Sequence, residues 1–128
     1  MAVMDMSFIS LRLVLPAVRT LLGDNGQAVC LVKPQFEARK EEVGDRGVVR
    51  DRRVHERVLR DITDFVPSLG WRAAGLDYSP IRGPEGNIEF LMLLLREGDL
   101  CEKTPLSSID VTISRAYDNF FKSFSEGL

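Results

Sequence analysis

The sequence predicts an α/β protein built on a partly parallel sheet. Short apolar runs rich in Val and Leu alternate along the chain with segments whose apolar residues recur every three or four positions. The predicted order is strand, helix, strand, helix, strand, strand, helix. The turn-rich connection between the last two strands is too short for a parallel crossover. We therefore expect two parallel strands followed by a terminal antiparallel pair, with flanking helices.

The first half of the chain gives two strands and one helix. The run MAVMDM predicts a strand that ends at Asp5, and Ser10 can cap a helix that stops at Gly23. The apolar run over 27–32 predicts a strand buried on both faces. The charged segment over 34–50 contains two glycines and predicts a long loop.

The second half begins with a strongly amphipathic helix. Asp51 can cap it, and Gly70 can end it after Leu69. An apolar stripe runs along one face: Val54, Val58, Ile62, Phe65, Val66 and Leu69. Two strands follow over 71–79 and 88–95, joined by a loop with two prolines and two glycines. Residues 107–124 predict an amphipathic C-terminal helix.

Composition excludes several classes of protein. The 128 residues carry a net charge of −2, which does not suit a protein that wraps nucleic acid. One histidine and two distant cysteines, Cys30 and Cys101, do not form a zinc pattern, so we expect no metal. We find no leader segment and no apolar run of membrane-spanning length. These features indicate a reduced, cytoplasmic protein.

Ionisable residues stand at three predicted strand ends. Asp5 and Lys33 follow the two parallel strands, and Glu89 begins the antiparallel one, so all three should lie at one edge of the sheet. Pro34 keeps Lys33 extended. Two carboxylates beside an ammonium can orient it toward a substrate hydroxyl. A charged strand end often only marks where a strand meets water, and this alternative stays about equally open.

Basic residues near this edge suggest contact with an anionic partner. Arg46, Arg50, Arg52 and Arg53 form a cluster that could bind an RNA backbone, although interleaved acidic residues make a solvated face an equal alternative. Arg82 is a better candidate because its loop precedes Glu89. His55 lies off the apolar stripe, and we expect it to be exposed and without a role.

Four ordered blocks resemble one family. DMSFISLRLVLPAV, LVKPQFEA, GDRGVVRD with VHERVL, and SPIRGPEGNIEFL are similar to the hemolysin-A-type (TlyA) rRNA methyltransferases of the FtsJ-like group. The resemblance implies a Rossmann-like fold, S-adenosylmethionine as donor, and methylation of a ribose 2′-hydroxyl in ribosomal RNA. It implies Asp5, Lys33 and Glu89 as catalytic residues, Asp5 and Ser7 as donor-binding residues, and contacts of Arg50 and Arg82 with RNA.

The sequence also departs from the family pattern. The glycine-rich donor motif and the first catalytic lysine of the family have no counterpart in it. We therefore expect residues 1–97 to be the carboxyl half of the catalytic domain, with 98–128 a linker and a helix that packs on it. The sheet would be a truncated one with the order first, second, fourth, third strand. The donor site would be incomplete and the isolated chain inactive.

Other partners and functions follow from this expectation. The edge of the first strand would be exposed and could pair in a homodimer. A non-enzymatic remnant that binds RNA or protein is the alternative function. Membrane lysis, suggested by the family's hemolysin name, is disfavoured because no helix is both basic and strongly amphipathic.

Overall fold

Four strands of the described part of the chain form one sheet in the order β1-β2-β4-β3. The computed structural model describes residues 2–4, 10–22, 26–83, 86–96 and 106–122. The strands are β1 (Ala2–Met4), β2 (Ala28–Val32), β3 (Trp71–Tyr78) and β4 (Phe90–Arg96). β1 pairs parallel with β2, and β4 pairs antiparallel with both β2 and β3. The predicted α/β class and the terminal antiparallel pair are confirmed.

Helices and tight turns connect the strands. The helices within the described ranges are α1 (Leu11–Leu22), α2 (Pro34–Glu37), α3 (Arg52–Phe65) and α4 (Leu106–Tyr117). Short 3₁₀ turns cover Lys40–Glu42, Asp45–Gly47 and Val66–Leu69, and a π-helical turn at Asp118–Lys122 follows α4.

The two central strands bury one face more deeply than the other. Ala28, Cys30 and Val32 of β2 are buried, as are Phe90, Met92 and Leu94 of β4. The alternate residues of these strands, such as Leu31 and Leu93, are only half-buried. The prediction that residues 27–32 are buried on both faces is therefore wrong, because the described residues cover the second face incompletely.

Helix α3 forms as its sequence predicts. The Asp51 side chain caps it by accepting a hydrogen bond of 2.9 Å from the backbone N–H of Arg53. Its apolar stripe, including Val58 and Ile62, lies in the core. The last predicted turn is 3₁₀ rather than α, and Gly70 ends it with a φ of 83°, a left-handed conformation that favours glycine.

The prediction of a long loop over 34–50 is wrong at its start. Pro34 opens the short helix α2, because proline fixes a helical φ and its missing N–H is not needed in a first turn. The two 3₁₀ turns follow, and Arg46 adopts a positive φ of 63° in the second. The segment thus has local structure that holds it against the sheet.

The C-terminal helix completes the core. Ile109, Ile113 and Ala116 of α4 are buried in the same apolar cluster as the strands. The Trp71 side chain is fully buried, and its Nε1 donates a 3.0 Å hydrogen bond to the Gly26 carbonyl. None of the helices in the described ranges is long and apolar enough to cross a membrane.

Candidate active site

Two of the three predicted catalytic residues lie at one edge of the sheet. Lys33 directly follows β2 and Glu89 directly precedes β4. β2 and β4 pair antiparallel with Val32 opposite Phe90, so continuing this register places Lys33 opposite Glu89. Both residues are buried, with exposed fractions of 8% and 6%. Lys33 has the extended backbone predicted from Pro34, with φ −109° and ψ 98°.

The carboxylate of Glu89 is held from two sides. Gln35 Nε2, in α2, donates a hydrogen bond of 3.2 Å to Glu89 Oε2. A Cβ built on Gly83 would lie 2.2 Å from the same oxygen, so only glycine leaves room for this position of the carboxylate. We call Lys33, Gln35, Gly83 and Glu89 the strand-end site. It holds a buried acid opposite a buried amine, which is suited to orienting a hydroxyl group.

Asn87 fixes the segment that leads into Glu89. Its Oδ1 accepts a hydrogen bond of 3.0 Å from Val49 N, and its Nδ2 donates one of 2.9 Å to the Gly47 carbonyl. The side chain is buried, with 2% exposed. Asn87 therefore joins the segment before α3 to the segment before β4, and a buried amide between two loops is a costly group to leave unpaired.

Glu37 links α2 to the start of α1. Its Oε1 accepts a hydrogen bond from Leu11 N and its Oε2 accepts one from Ser10 Oγ, both at 2.7 Å. A carboxylate at a helix N-terminus satisfies backbone N–H groups that have no partner within the helix. Burial raises the pKa of Glu37, although both hydrogen bonds oppose this effect. The bond network holds α2, which follows Lys33, against the start of α1.

The predicted RNA-binding residues meet at a cavity beside the strand-end site. Arg50 and Arg82 are exposed, and both line a cavity of about 280 Å³. Its lining residues are Val48, Val49, Arg50, His55, Arg82, Gly86, Ile88, Tyr117 and Phe121. We call it the aromatic cavity. The Arg82 guanidinium lies 5.6 Å from the ring centroid of Phe121, within cation–π distance.

The prediction that His55 is exposed is wrong. Its side chain is 1% exposed because Tyr117, at the end of α4, covers the face of α3 that carries it. His55 Nδ1 lies 2.5 Å from Tyr117 Oη, and its ring also packs edge-on against Phe90. Burial lowers the pKa of His55 to about 4, although Asp51 and the Val49 backbone act in the opposite direction. The ring is therefore neutral at pH 7.

The remaining predicted site residues lie outside the described residues. Asp5 and Ser7 fall in 5–9, so their places relative to Lys33 and Glu89 stay predictions. Sequence patterns alone do not predict the roles of Gln35, Glu37 and Asn87 or the burial of His55. The first two lie in the KPQFE run directly after Lys33, and Asn87 lies two residues before Glu89. Nearness to a candidate catalytic residue was the one available signal.

Known proteins resemble this chain over most of its length. YqxC of Bacillus subtilis, which carries an rRNA methyltransferase name, is 51% identical over 98 residues, covering 77% of this chain and 35% of that protein. The 16S/23S rRNA (cytidine-2′-O)-methyltransferase TlyA of Mycobacterium tuberculosis is 40% identical over 99 residues, covering 77% and 37%.

A solved structure agrees with these relatives. A Streptococcus thermophilus protein with a hemolysin name matches with a TM-score of 0.86 and 44% identity, over 97% of this chain and 44% of its own. The chain thus spans between 35% and 37% of the length of the two curated relatives above. Residues 1–96 match the family model of the FtsJ-like methyltransferases. Because this match covers well over half of the sequence, the chain belongs to the FtsJ-like methyltransferase family.

Proposed function

We propose that this chain is part of an enzyme that methylates a ribose 2′-hydroxyl in ribosomal RNA, with S-adenosylmethionine as the methyl donor. One observation carries the proposal: Lys33 and Glu89 are buried opposite each other at the sheet edge, and Gln35 holds the carboxylate. The relative TlyA is named for 2′-O-methylation of cytidine in rRNA, which is the same chemistry. An rRNA substrate would also place the protein in the cytoplasm.

Each residue of the strand-end site has a role in this proposal. Lys33 binds the ribose hydroxyl and holds its oxygen in line with the methyl group. Glu89 is a positioning residue that orients Lys33, and Gln35 in turn orients Glu89. S-adenosylmethionine supplies a methyl group on a cationic sulfur, so the hydroxyl needs correct placement more than strong activation. Asp5 and Ser7 remain our candidates for binding this donor. The aromatic cavity does not include Lys33 or β1, so it does not fit the donor.

The proposal treats the chain as one part of a larger catalytic domain. Residues 1–97 would form the carboxyl part of a Rossmann-like domain, and 98–128 a linker and a helix on the same core. β1 is a terminal strand of the described sheet, and a terminal strand can pair with another strand through its backbone. That strand would belong to the rest of the domain, or to a second copy of the chain in a homodimer.

A chimera of TlyA tests the proposed chemistry. The 99 matched residues of the Mycobacterium tuberculosis protein are replaced by those of this chain, and transfer of labelled methyl groups to ribosomal subunits is measured. RNA mass spectrometry then identifies 2′-O-methylated nucleosides. We expect the chimera to methylate and the isolated chain to be inactive. Lys33→Ala in the chimera should reduce the rate about 100-fold or more.

Lys40→Ala is the matched control, because Lys40 is exposed in a 3₁₀ turn of the same segment. It should leave the rate within about twofold. Equal rates for the Lys33→Ala chimera and its parent would show that Lys33 has no part in the reaction. A chimera that folds and binds RNA but never methylates would favour a binding remnant instead.

A further inference from the structure

The aromatic cavity has the size and lining of a small ligand site. Its volume of about 280 Å³ is near the lower end of the range for ligand pockets, which suits one base or nucleoside. It lies where the segment before α3, the loop before β4 and the end of α4 meet. None of its residues belongs to the strand-end site.

A buried nitrogen without a partner lines this cavity. His55 Nε2 makes no hydrogen bond, although the ring is almost completely buried. The Val49 backbone lies close to the ring and acts to raise its pKa, but within the described residues no group meets hydrogen-bond geometry at Nε2. A neutral imidazole nitrogen is a donor or an acceptor according to its tautomer, and a buried one usually has a partner. His55 thus brings to the cavity lining a buried ring with one nitrogen that no described residue satisfies.

The walls of the cavity combine aromatic rings with positive charge. Tyr117 and Phe121 pack edge to face with ring centroids 5.4 Å apart, and Phe121 is 46% exposed. Arg82 lies over the Phe121 ring, and Arg50 is exposed beside it in the lining. Aromatic rings next to arginines are how proteins bind unpaired bases together with their phosphates.

The cavity lies one residue away from the strand-end site on two segments. Arg82 lines the cavity and Gly83 contacts Glu89; Ile88 lines the cavity and Glu89 belongs to the site. Consecutive Cα atoms are about 3.8 Å apart. The two regions therefore share two short segments of the chain.

We propose that the aromatic cavity binds one unpaired base of the RNA strand, next to the nucleotide whose ribose lies at the strand-end site. The base packs against Phe121 and Tyr117, its polar edge meets His55 Nε2, and Arg50 and Arg82 bind the adjoining phosphates. This inference rests on the proposed function, because it takes RNA as the substrate. It adds a subsite that would select single-stranded RNA around the target.

The single histidine of the chain makes the inference directly measurable. The full chain is labelled with ¹⁵N-histidine and titrated with hexaribonucleotides of adenosine or of cytidine. A matched hexamer of abasic ribose phosphates is the control probe. We expect the base-containing hexamers to shift the His55 ring signals saturably, and the abasic hexamer to bind more weakly without shifting them.

Two exposed apolar residues provide matched variants. Phe121→Ala removes a cavity wall and should weaken binding of the base-containing hexamers about tenfold, since stacking supplies much of such affinity. Ile81→Ala removes a side chain that is 76% exposed, lies next to Arg82 and does not line the cavity, so it should change affinity less than twofold. Neither change should unfold the chain, and thermal unfolding checks this.

Each other outcome overturns the inference. RNA that binds without shifting His55, an equal shift with the abasic hexamer, or no binding of any hexamer would show that the cavity does not hold a base. The chimera separates this failure from that of the proposed function. If methylation depends on Lys33 but the His55 signals do not respond to RNA, the proposed function stands and the base subsite is rejected. If the His55 signals respond to RNA but methylation does not depend on Lys33, the base subsite stands and the proposed role of Lys33 is rejected.

Discussion

The strand-end site and the aromatic cavity are adjacent in the chain but are built from different kinds of residue. The strand-end site holds a buried amine and a buried carboxylate, and the carboxylate has both a hydrogen-bond donor and a close glycine around it. The aromatic cavity has exposed arginines and aromatic rings around a neutral histidine with one unpaired nitrogen. The strand-end site positions a buried carboxylate and a buried amine, and the aromatic cavity presents exposed arginine and phenylalanine side chains to a ligand.

This difference corresponds to two separate tasks, which are orienting a reacting hydroxyl and binding a base. A group that orients a hydroxyl must be held by its surroundings, because small displacements are costly to a reaction. A group that binds a base needs an open ring face and a free polar atom. The segment from Asn87 to Glu89 belongs to both regions, so variants along it and around it show how far the two can be separated.

Loss of Phe90 should have the largest effect, because it supports both regions. The ring is fully buried, begins β4 beside Glu89 and packs on His55. Phe90→Ala should lower the free energy of unfolding by about 3–5 kcal/mol. Urea unfolding followed by the fluorescence of Trp71, the single tryptophan, measures it. Leu13→Ala on α1 is the control, because that side chain is 72% exposed and its loss should cost less than about 0.5 kcal/mol.

Acid should weaken the aromatic cavity through the buried ring of His55. The pKa of His55 is about 4 in the fold and about 6.5 when unfolded, so the unfolded chain binds more protons between these values. The His55 contribution to stability is present above pH 6.5 and is lost as the pH falls toward 4. Two to three pKa units correspond to about 3 kcal/mol. The charged groups around the ring and its partner Tyr117 include Asp51, Arg50, Arg52, Glu56 and Arg82.

Two measurements check this acid sensitivity. The His55 ring signals should titrate near pH 4, and a midpoint near 6.5 would mean that the ring is not buried. Unfolding of His55→Phe should lose the matching slope between pH 6.5 and 4. Glu37 acts in the opposite direction, because its pKa is raised in the fold and its contribution falls as the pH rises through that value. The comparison of the variant with the parent chain removes the Glu37 contribution from both.

Substitution of Asn87 should have a smaller effect on the free energy of unfolding, and it should affect both regions. Asn87→Ala leaves Val49 N and the Gly47 carbonyl without this partner, and we expect a loss of about 2 kcal/mol. Asn87→Asp keeps an acceptor for Val49 N but buries a carboxylate against the Gly47 carbonyl, so it should cost at least as much stability as Asn87→Ala. Hydrogen exchange of the Val49 amide separates the two variants. Equal protection in both would mean that this bond does not hold the segment.

The sequence predicts the parts of the site that depend on topology alone. Lys33 and Glu89 follow from the direction of two strands, because the end of one and the start of its antiparallel neighbour share an edge. The caps of α3 follow from local chemistry at Asp51 and Gly70. These features need no knowledge of which element packs on which.

The parts that depend on packing could not be predicted in this way. His55 lies off the apolar stripe of α3, and a periodic pattern describes only one buried face. Burial of His55 depends on the packing of α4 against α3, and the sequence of α3 gives no sign of this contact. Gln35 and Asn87 are polar residues in predicted loops, and their partners are distant in sequence. Such contacts become visible only when the loops are placed.

Substitution of Gln35 should have the smallest effect on stability. It should also distinguish the two regions most clearly. Gln35→Leu removes the donor to Glu89 Oε2 and should cost about 1 kcal/mol. Gln35→Glu places a second carboxylate beside Glu89, and repulsion between the two like charges should lower stability more at neutral pH than at acid pH. Gln27→Glu, at the chain's other glutamine, should lack this dependence. In both Gln35 variants the His55 signals should stay unchanged, because the aromatic cavity does not include Gln35. A shift of those signals would show that the two regions respond as one unit, and the orienting and binding roles could then not be assigned separately.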